Sequence, residues 1–284
     1  MEDIMSKFRL CAFADEADSD IRGQIKALNR NGVGLIEVRG INGKNISDMT
    51  LSEVKEANKL YNDNGIKVWS IGSPIGKINI NDDFEAELEK FKRTIETAEI
   101  MEAKCIRMFS FYGTNGETKY RDEVMEKLSR YVEIAQGSSV VLCHENEKGI
   151  YGDVASRCFD IVTSIPDIKA VFDPANFNQC NQDIIEAWDL LKPYVYYHHI
   201  KDADLEHKIV PAGYGSTNMK VYLTEYAQMG GGVLTAEPHL ADFVGLSNLA
   251  NEDETANIGS FKFDNNDESF DFAINAIKNL IKDI

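Results

Sequence analysis

Apolar positions along this chain recur with two alternating periods from one end to the other. Short β-type runs stand at LCAFA (10–14), LIEVR (35–39), KVWSIG (67–72), CIRMFSF (105–111), VVLCHEN (140–146), KAVFD (169–173), YYHHIK (196–201) and GVLTAE (232–237). Between them lie IRGQIKALNRNG, LSEVKEANKLYNDNG, FEAELEKFKRTIETAEIM, YRDEVMEKLSRYVEIAQ, VASRCFDIVTSI, IIEAWDLLKPY and MKVYLTEYAQMG, and the chain closes on DFAINAIKNLIKDI. Each of these stretches carries apolar residues three and four apart, which predicts a helix covering one face of a sheet. Gly32 and Gly65 follow the first two helices, where C-terminal caps are expected. Continuous βα alternation implies parallel strands joined by right-handed crossovers. The eight units suit a closed α/β (β/α)8 barrel better than an open doubly wound sheet, and no G-x-G-x-x-G follows the first strand. A length of 284 residues fits one such domain, expected over 1–284, since these barrels take about 250 residues. The regularity breaks once, between Pro238 and Ser269, where Asn, Asp and Glu dominate. A segment that long is read as a lid or binding loop, or as a solvated excursion.

Composition changes this picture little. Hydrophobic residues at 43% and charged residues at 27% allow a large buried core. No stretch approaches the roughly 18 to 20 apolar residues of a membrane span, and the acidic start MEDIMSKFRLCAFADEADSD lacks the pattern of a secretory signal. A cytoplasmic location away from membranes is therefore expected. Five cysteines (Cys11, Cys105, Cys143, Cys158, Cys180), with no C-x-x-C pair, argue against a disulfide framework and a structural zinc site. Charge excludes more. Thirty Lys and Arg against 47 Asp and Glu give a net −17, with no basic cluster to neutralise phosphates, so nucleic acid is not an expected partner.

In a (β/α)8 barrel the chemistry sits at the C-terminal ends of the strands. Four successive strands end on residues able to bind metal: Glu145, Asp173, His199 and Glu237. A lone acidic residue at a strand end is ordinarily solvated or hydrogen-bonded, but four in a row point to one shared divalent ion. Strand alternation sends every second side chain inward. If Glu145 is inward, so is Glu147, with His144 and Asn146 turned to the helices. In the same way His198 and Phe172 turn outward beside an inward His199 and Asp173. The mixed oxygen and nitrogen set suits one divalent metal ion, Mn²⁺ first, with Zn²⁺, Co²⁺ or Mg²⁺ as alternatives. Candidate substrate contacts on other strand ends are Glu37, Arg39, Lys77, Arg107 and Lys201. Lys201 ranks first because it shares the strand of His199, and any of the five could instead be a salt-bridge residue. The VPAGYGS loop offers backbone amides to a substrate oxygen or is a plain turn. Trp69 and Trp188 are read as packing residues.

The stretches VVLCHENEKGIYGD, KAVFDPANF, YVYYHHIKDAD, IVPAGYGS and GVLTAEPHL, in their order and spacing, resemble the xylose-isomerase-like TIM barrels, the sugar phosphate isomerase/epimerase superfamily. The resemblance runs over nearly the whole chain. It implies Glu145, Asp173, His199 and Glu237 as metal ligands, with Glu145 and Glu237 doubling as an acid/base pair. Two positions depart from the pattern. Many members carry His where this chain has Asn176, and His where it has Glu147; both are kept as substrate-contact candidates.

A metal that chelates a ketone oxygen and its neighbouring hydroxyl acidifies the carbon-bound proton by stabilising a developing enediolate. The expectation is a divalent-metal-dependent sugar or sugar-phosphate isomerase/epimerase that moves a proton through glutamate. The alternative within enzymes is a metal-dependent dehydratase or lyase acting on a keto-sugar or keto-cyclitol. An endonuclease of this fold would need early-strand histidines and a basic groove, which the sequence lacks. A metal-free retaining glycosidase built on Glu145 and Glu237, and a non-catalytic sugar-binding protein, complete the readings. The expected partner is a small sugar or sugar phosphate, and a homo-oligomer is left open.

Overall fold

A computed structural model describes residues 7–244 and 261–284. Eight parallel strands close into a barrel: β1 (Phe8–Ala12), β2 (Leu35–Val38), β3 (Lys67–Ile71), β4 (Cys105–Met108), β5 (Val141–Glu145), β6 (Ile168–Phe172), β7 (Val195–Ile200) and β8 (Gly232–Ala236). Each strand lies beside its neighbour in sequence, and β1 closes the ring by pairing with β8 from Phe8↔Gly232 to Ala12↔Ala236. The chain is thus a single-domain (β/α)8 TIM barrel. Outside the strands run α1 (Ile21–Arg30), α2 (Leu51–Asp63), α3 (Phe84–Ile100), α4 (Arg121–Ala135), α5 (Ala155–Ser164), α6 (Pro174–Gln179), α7 (Ile184–Leu191), α8 (Met219–Gln228) and α9 (Asn266–Lys282). Gly32 and Gly65 take φ of 61° and 77° just past α1 and α2, the left-handed turn that a C-terminal cap needs.

Strand alternation builds two cores. Outward side chains such as Ile36, Val38, Ile106, Leu142, Phe172 and Leu234 join the helices in one large apolar layer. Trp188 lies in it, packed on Phe172, His198 and Tyr222. Inward side chains low in the barrel form a second cluster of Cys11, Leu35, Cys105, Cys143, Val171, Tyr197 and Val233, with Trp69 packed against it. Two residues further along those same strands stand Glu37, Arg107, Glu145, Asp173, His199 and Thr235, all buried. The interior is therefore apolar at its base and ionic near its mouth, and period-two alternation puts both on one column.

Many boundaries differ from expectation, and three of the differences have a visible cause. The first strand is Phe8–Ala12 rather than 10–14, because pairing with β8 sets its span and Ala14–Glu16 already coils as a 3-10 turn. The fourth ends at Met108, since Phe109 N turns to Ile75 O (2.8 Å) and Phe111 adopts φ 68°. α9 begins at Asn266, ahead of the expected 271, because Asn265 caps it by accepting from Glu268 N. Unforeseen elements are α6 and two small hairpins, Gly40–Ile41 with Lys44–Asn45 and Asp202–Ala203 with Ile209–Val210. Of the irregular stretch 238–269, residues 245–260 lie outside the described residues, and the lid reading falls largely on them.

Candidate metal centre

Four strand ends deliver one cluster. Ligand atoms of Glu145, Asp173, His199 and Glu237 all lie within 4.8 Å of one another, and all four residues are buried. His199 Nδ1 faces Glu145 Oε1 at 2.9 Å, Glu237 Oε2 at 3.2 Å and Asp173 Oδ2 at 4.0 Å. Its Nε2 faces the other way, toward Glu37 Oε2 at 3.2 Å. Glu37 in turn accepts from Tyr197 OH at 2.9 Å and Ser70 Oγ at 3.3 Å. With an ion bound at Nδ1, a proton on Nε2 donated to Glu37 would be the usual support of a metal-binding imidazole.

Backbone clasps fix the acidic members. Asn146 Nδ2 donates to Asp173 O at 2.9 Å, and Asp173 N donates to Asn146 Oδ1 at 3.0 Å, tying β5 to the end of β6. Asp173 also caps α6, its Oδ1 accepting from Asn176 N at 3.0 Å. Asn176 Nδ2 reaches Asn146 O at 2.9 Å and Glu145 Oε1 at 3.3 Å. His144 and His198 point to the helices, as alternation requires. His144 meets Ser110 Oγ at 2.9 Å, and His198 stacks on Tyr222.

Cations ring the cluster. Lys201 Nζ lies 2.9 Å from Asp173 Oδ2 and 3.1 Å from Glu237 Oε2. Arg107 Nη1 lies 3.2 Å from Glu145 Oε2 and 3.9 Å from Glu237 Oε1. Arg39 binds Asp15 and Glu16 and reaches Glu237 Oε1 at 3.3 Å. Six buried carboxylates (Asp15, Glu16, Glu37, Glu145, Asp173, Glu237) thus face three fixed cations. Removing one partner of such a buried pair costs about 3 to 5 kcal/mol. Sequence reasoning missed Asp15, Glu16 and His239 as members. The paired acids directly after the first strand, in FADEAD, were the available signal.

The residues fit a divalent ion. Bonds of about 2.1 Å put ligand atoms roughly 3 to 4 Å apart, as these atoms nearly are. Glu145 Oε2 and Asp173 Oδ2 are buried acceptors without a hydrogen bond among the described residues. Lys201 and Arg107 approach them closely enough for ion pairing but not in hydrogen-bonding geometry. A second grouping, Glu16, Glu237 and His239, shares Glu237. There Arg39 Nη1 already lies 3.4 Å from His239 Nε2, so a fixed cation serves that corner.

Electrostatics separate the members. Burial alone would lower the His199 pKa, but Glu145, Glu37 and Glu237 outweigh it and hold it well above the usual histidine range. Burial pushes Glu145 up, yet His199 and Arg107 prevail and bring it to about 2. Glu237, opposed by burial, is held well below the carboxylate range by Lys201, His239 and His199. Asp173 goes the other way, to about 7, because burial and then Glu237 and Glu145 outweigh Lys201. Its imidazole contact is 4.0 Å, against 2.9 Å for Glu145. Burial likewise drives Glu16 to about 8.

Arg39, Arg107 and Lys201 join the cluster, while Glu37 lies on the Nε2 side of His199 with both oxygens engaged. Lys77 Nζ and Glu147 Oε2 pair at 2.8 Å between the loops after β3 and β5. The VPAGYGS amides turn inward to their own chain: Gly213 N and Gly215 N donate to Asp202 Oδ2 at 2.9 and 3.0 Å.

No curated protein sequence matches this chain at a significant level. Solved structures do. An L-ribulose 3-epimerase superposes with TM-score 0.75 at 18% identity, covering 97% of this chain and 94% of that one. The probable 3-DHS dehydratase AsbF, involved in petrobactin synthesis in Bacillus anthracis, gives 0.72 at 14% identity over 96% and 98%. The IOLI protein with a bound zinc atom gives 0.72 at 15% identity over 97% and 98%. At these identities the likeness is one of fold. The model of the xylose isomerase-like TIM barrel family matches residues 25–257, most of the chain. By that match and by the closed barrel built here, the chain belongs to the xylose isomerase-like TIM barrel family.

Proposed function

We propose that this chain is a divalent-metal-dependent isomerase or epimerase of a sugar or sugar phosphate. The observation that carries the reading is the convergence of Glu145, Asp173, His199 and Glu237 within 4.8 Å of one another at the barrel mouth. These four would hold the ion, and manganese is the first choice for a set richer in oxygen than nitrogen. A bound divalent ion supplies Lewis-acid polarisation of a carbonyl, which acidifies the neighbouring C–H. The other roles belong to side chains. Glu145, kept ionised beside His199 and Arg107, takes the carbon-bound proton. The proton is returned by Glu145 itself, or by Glu237 from its own side of the cluster once Glu237 has taken a proton from solvent. Lys201 steadies Glu237 from 3.1 Å and offers further N–H donors to a substrate oxygen. Arg39, Lys77, Arg107, Glu147 and Asn176 complete the wall the substrate meets, and Glu37 acts through His199. Epimerase, dehydratase and zinc-binding structures share the fold, which is the context in which this chemistry is tested.

The test is product analysis by NMR in D₂O with manganese-loaded protein and a panel of ketopentoses, ketohexoses and their phosphates. Deuterium entering a carbon next to the carbonyl, with no loss of water, is the expected result, and it should vanish in both Glu145→Gln and Glu237→Gln. Loss of water with formation of an enol-derived ketone would favour a dehydratase instead. Turnover that survives exhaustive EDTA treatment would sink the proposal.

A further inference from the structure

Beside the cluster lies a solvent-open cavity of about 110 Å³, room for one end of a small molecule rather than for all of it. Among the described residues its lining includes Arg39, Lys44, Lys77 and Arg107, and one acidic residue, Asp15. In a chain of net charge −17 this is a local reversal of sign. Each cation has a carboxylate partner: Glu53 for Lys44, Glu147 for Lys77, Glu145 for Arg107, and Asp15 and Glu16 for Arg39. Asp15 aside, those partners stand outside the lining, so the charged groups in that lining are mainly ammonium and guanidinium.

A second observation points the same way. Arg107 is 3% exposed, and its Nε is a buried donor with no acceptor among the described residues. Its Nη2 donates to Gly72 O at 3.2 Å, and its Nη1 faces Glu145. An orphaned guanidinium N–H at the wall of a cavity wants an anionic acceptor. The same guanidinium touches the cluster, so a group bound to it sits next to the reacting centre.

We propose that this cavity binds the anionic end of the substrate, an oxyanion carried on a short polyol whose carbonyl end reaches the Glu145–Asp173–His199–Glu237 cluster. This rests on reading that cluster as the reacting centre. The oxyanion is a carboxylate or a phosphate, held by Arg107 with Lys77 and Arg39 as further donors. Of the ligands this fold could take, the cavity therefore selects acidic sugars over neutral ones.

The experiment is calorimetric titration of EDTA-dialysed full-length protein, at low salt, with D-sorbitol, D-gluconate and D-sorbitol 6-phosphate. The three share a six-carbon open chain and differ in having no charge, a carboxylate or a phosphate; none has a carbonyl to react. At least one charged polyol should bind tenfold or more tighter than sorbitol, and the tighter of the two names the group. Lys77→Gln and Arg107→Lys should each cut that preference at least threefold, with the fold checked by circular dichroism. If Arg107→Lys does not fold, Lys77→Gln alone decides. Sorbitol binding as tightly as both charged polyols overturns the proposal, and so does a charge preference that survives in the variants. Deuterium exchange separates this inference from the proposed activity. Exchange into neutral ketoses without a charge preference defeats the anion site alone. A variant-sensitive charge preference without any exchange upholds it and defeats the isomerase reading.

Discussion

His199 is held from both sides: Nε2 against Glu37 at 3.2 Å, Nδ1 toward three carboxylates. The Nε2 contact fixes which nitrogen can bind a metal, so its loss should be felt in affinity before anything else. Glu37→Gln is expected to weaken metal binding about 10- to 100-fold, measured by competition with a fluorescent chelator. Unchanged affinity would mean the ring needs no such support. Alternation in the sequence correctly turned Glu37 and Arg39 inward together with the four cluster residues. It could not give their depth. A period of two assigns a face, while height in a barrel depends on strand stagger, and β2 carries an irregularity in its pairing with β3 between Ile36 and Glu37. Glu37, grouped from sequence with Arg39 and Arg107 as a substrate contact, faces Nε2 of the imidazole instead.

Helices and strands with strong periodicity were legible; the pieces that carry little apolar signal were not. α6 is six residues long and starts from Asp173, a residue singled out from the sequence only for its carboxylate. The dual duty has a practical side: Asp173→Asn keeps an acceptor for Asn176 N, whereas Asp173→Ala removes cap and charge together. The Asp202 hairpin escaped for a similar reason, since a buried carboxylate gripping Gly213, Gly215 and Thr217 leaves no periodic trace. Between α4 and α5, Arg121 donates to both oxygens of Asp160 at 2.7 Å, and Tyr151 OH adds a third bond at 2.8 Å. The bond from Arg121 chiefly holds the Asp160 pKa below 3.8. A depressed acid contributes stability above its unfolded pKa and loses it as pH falls through the folded value. Asp160→Asn should therefore lower stability at pH 7 but not at pH 2, by well under about 1 kcal/mol because the pair is partly solvated. Urea unfolding at the two pH values checks this; an equal loss at both would assign the effect to packing.

For the whole molecule, the balance of charge at the mouth matters most. Without an ion that balance is kept by protons: His199 is held charged, and Asp173 and Glu16 are raised to about 7 and about 8. An ion that binds the folded chain alone adds RT ln(1 + [L]/Kd), about 2.7 kcal/mol at a hundredfold excess over Kd. Manganese should thus raise Tm in proportion to the logarithm of its concentration, and His199→Ala should abolish the rise in a calorimetric scan. A concentration-independent Tm would place the ion elsewhere or nowhere. Among the described residues no helix is long and apolar enough to cross a membrane. The barrel class was readable because eight repeated units leave a strong pattern. The pairing of Lys77 with Glu147 was not, because it joins loops far apart in sequence.

Phe13 stands just beyond β1. Its ring meets His199 edge-on at 5.2 Å, with the guanidiniums of Arg39 and Arg107 over it at 4.5 and 5.1 Å. One ring is thus a shared contact of both arginines. Their separation is set when the chain folds, so an incoming ligand orders little that was not ordered already. The cavity should then discriminate by shape as well as by charge, and poor fits should show as fast dissociation rather than slow entry.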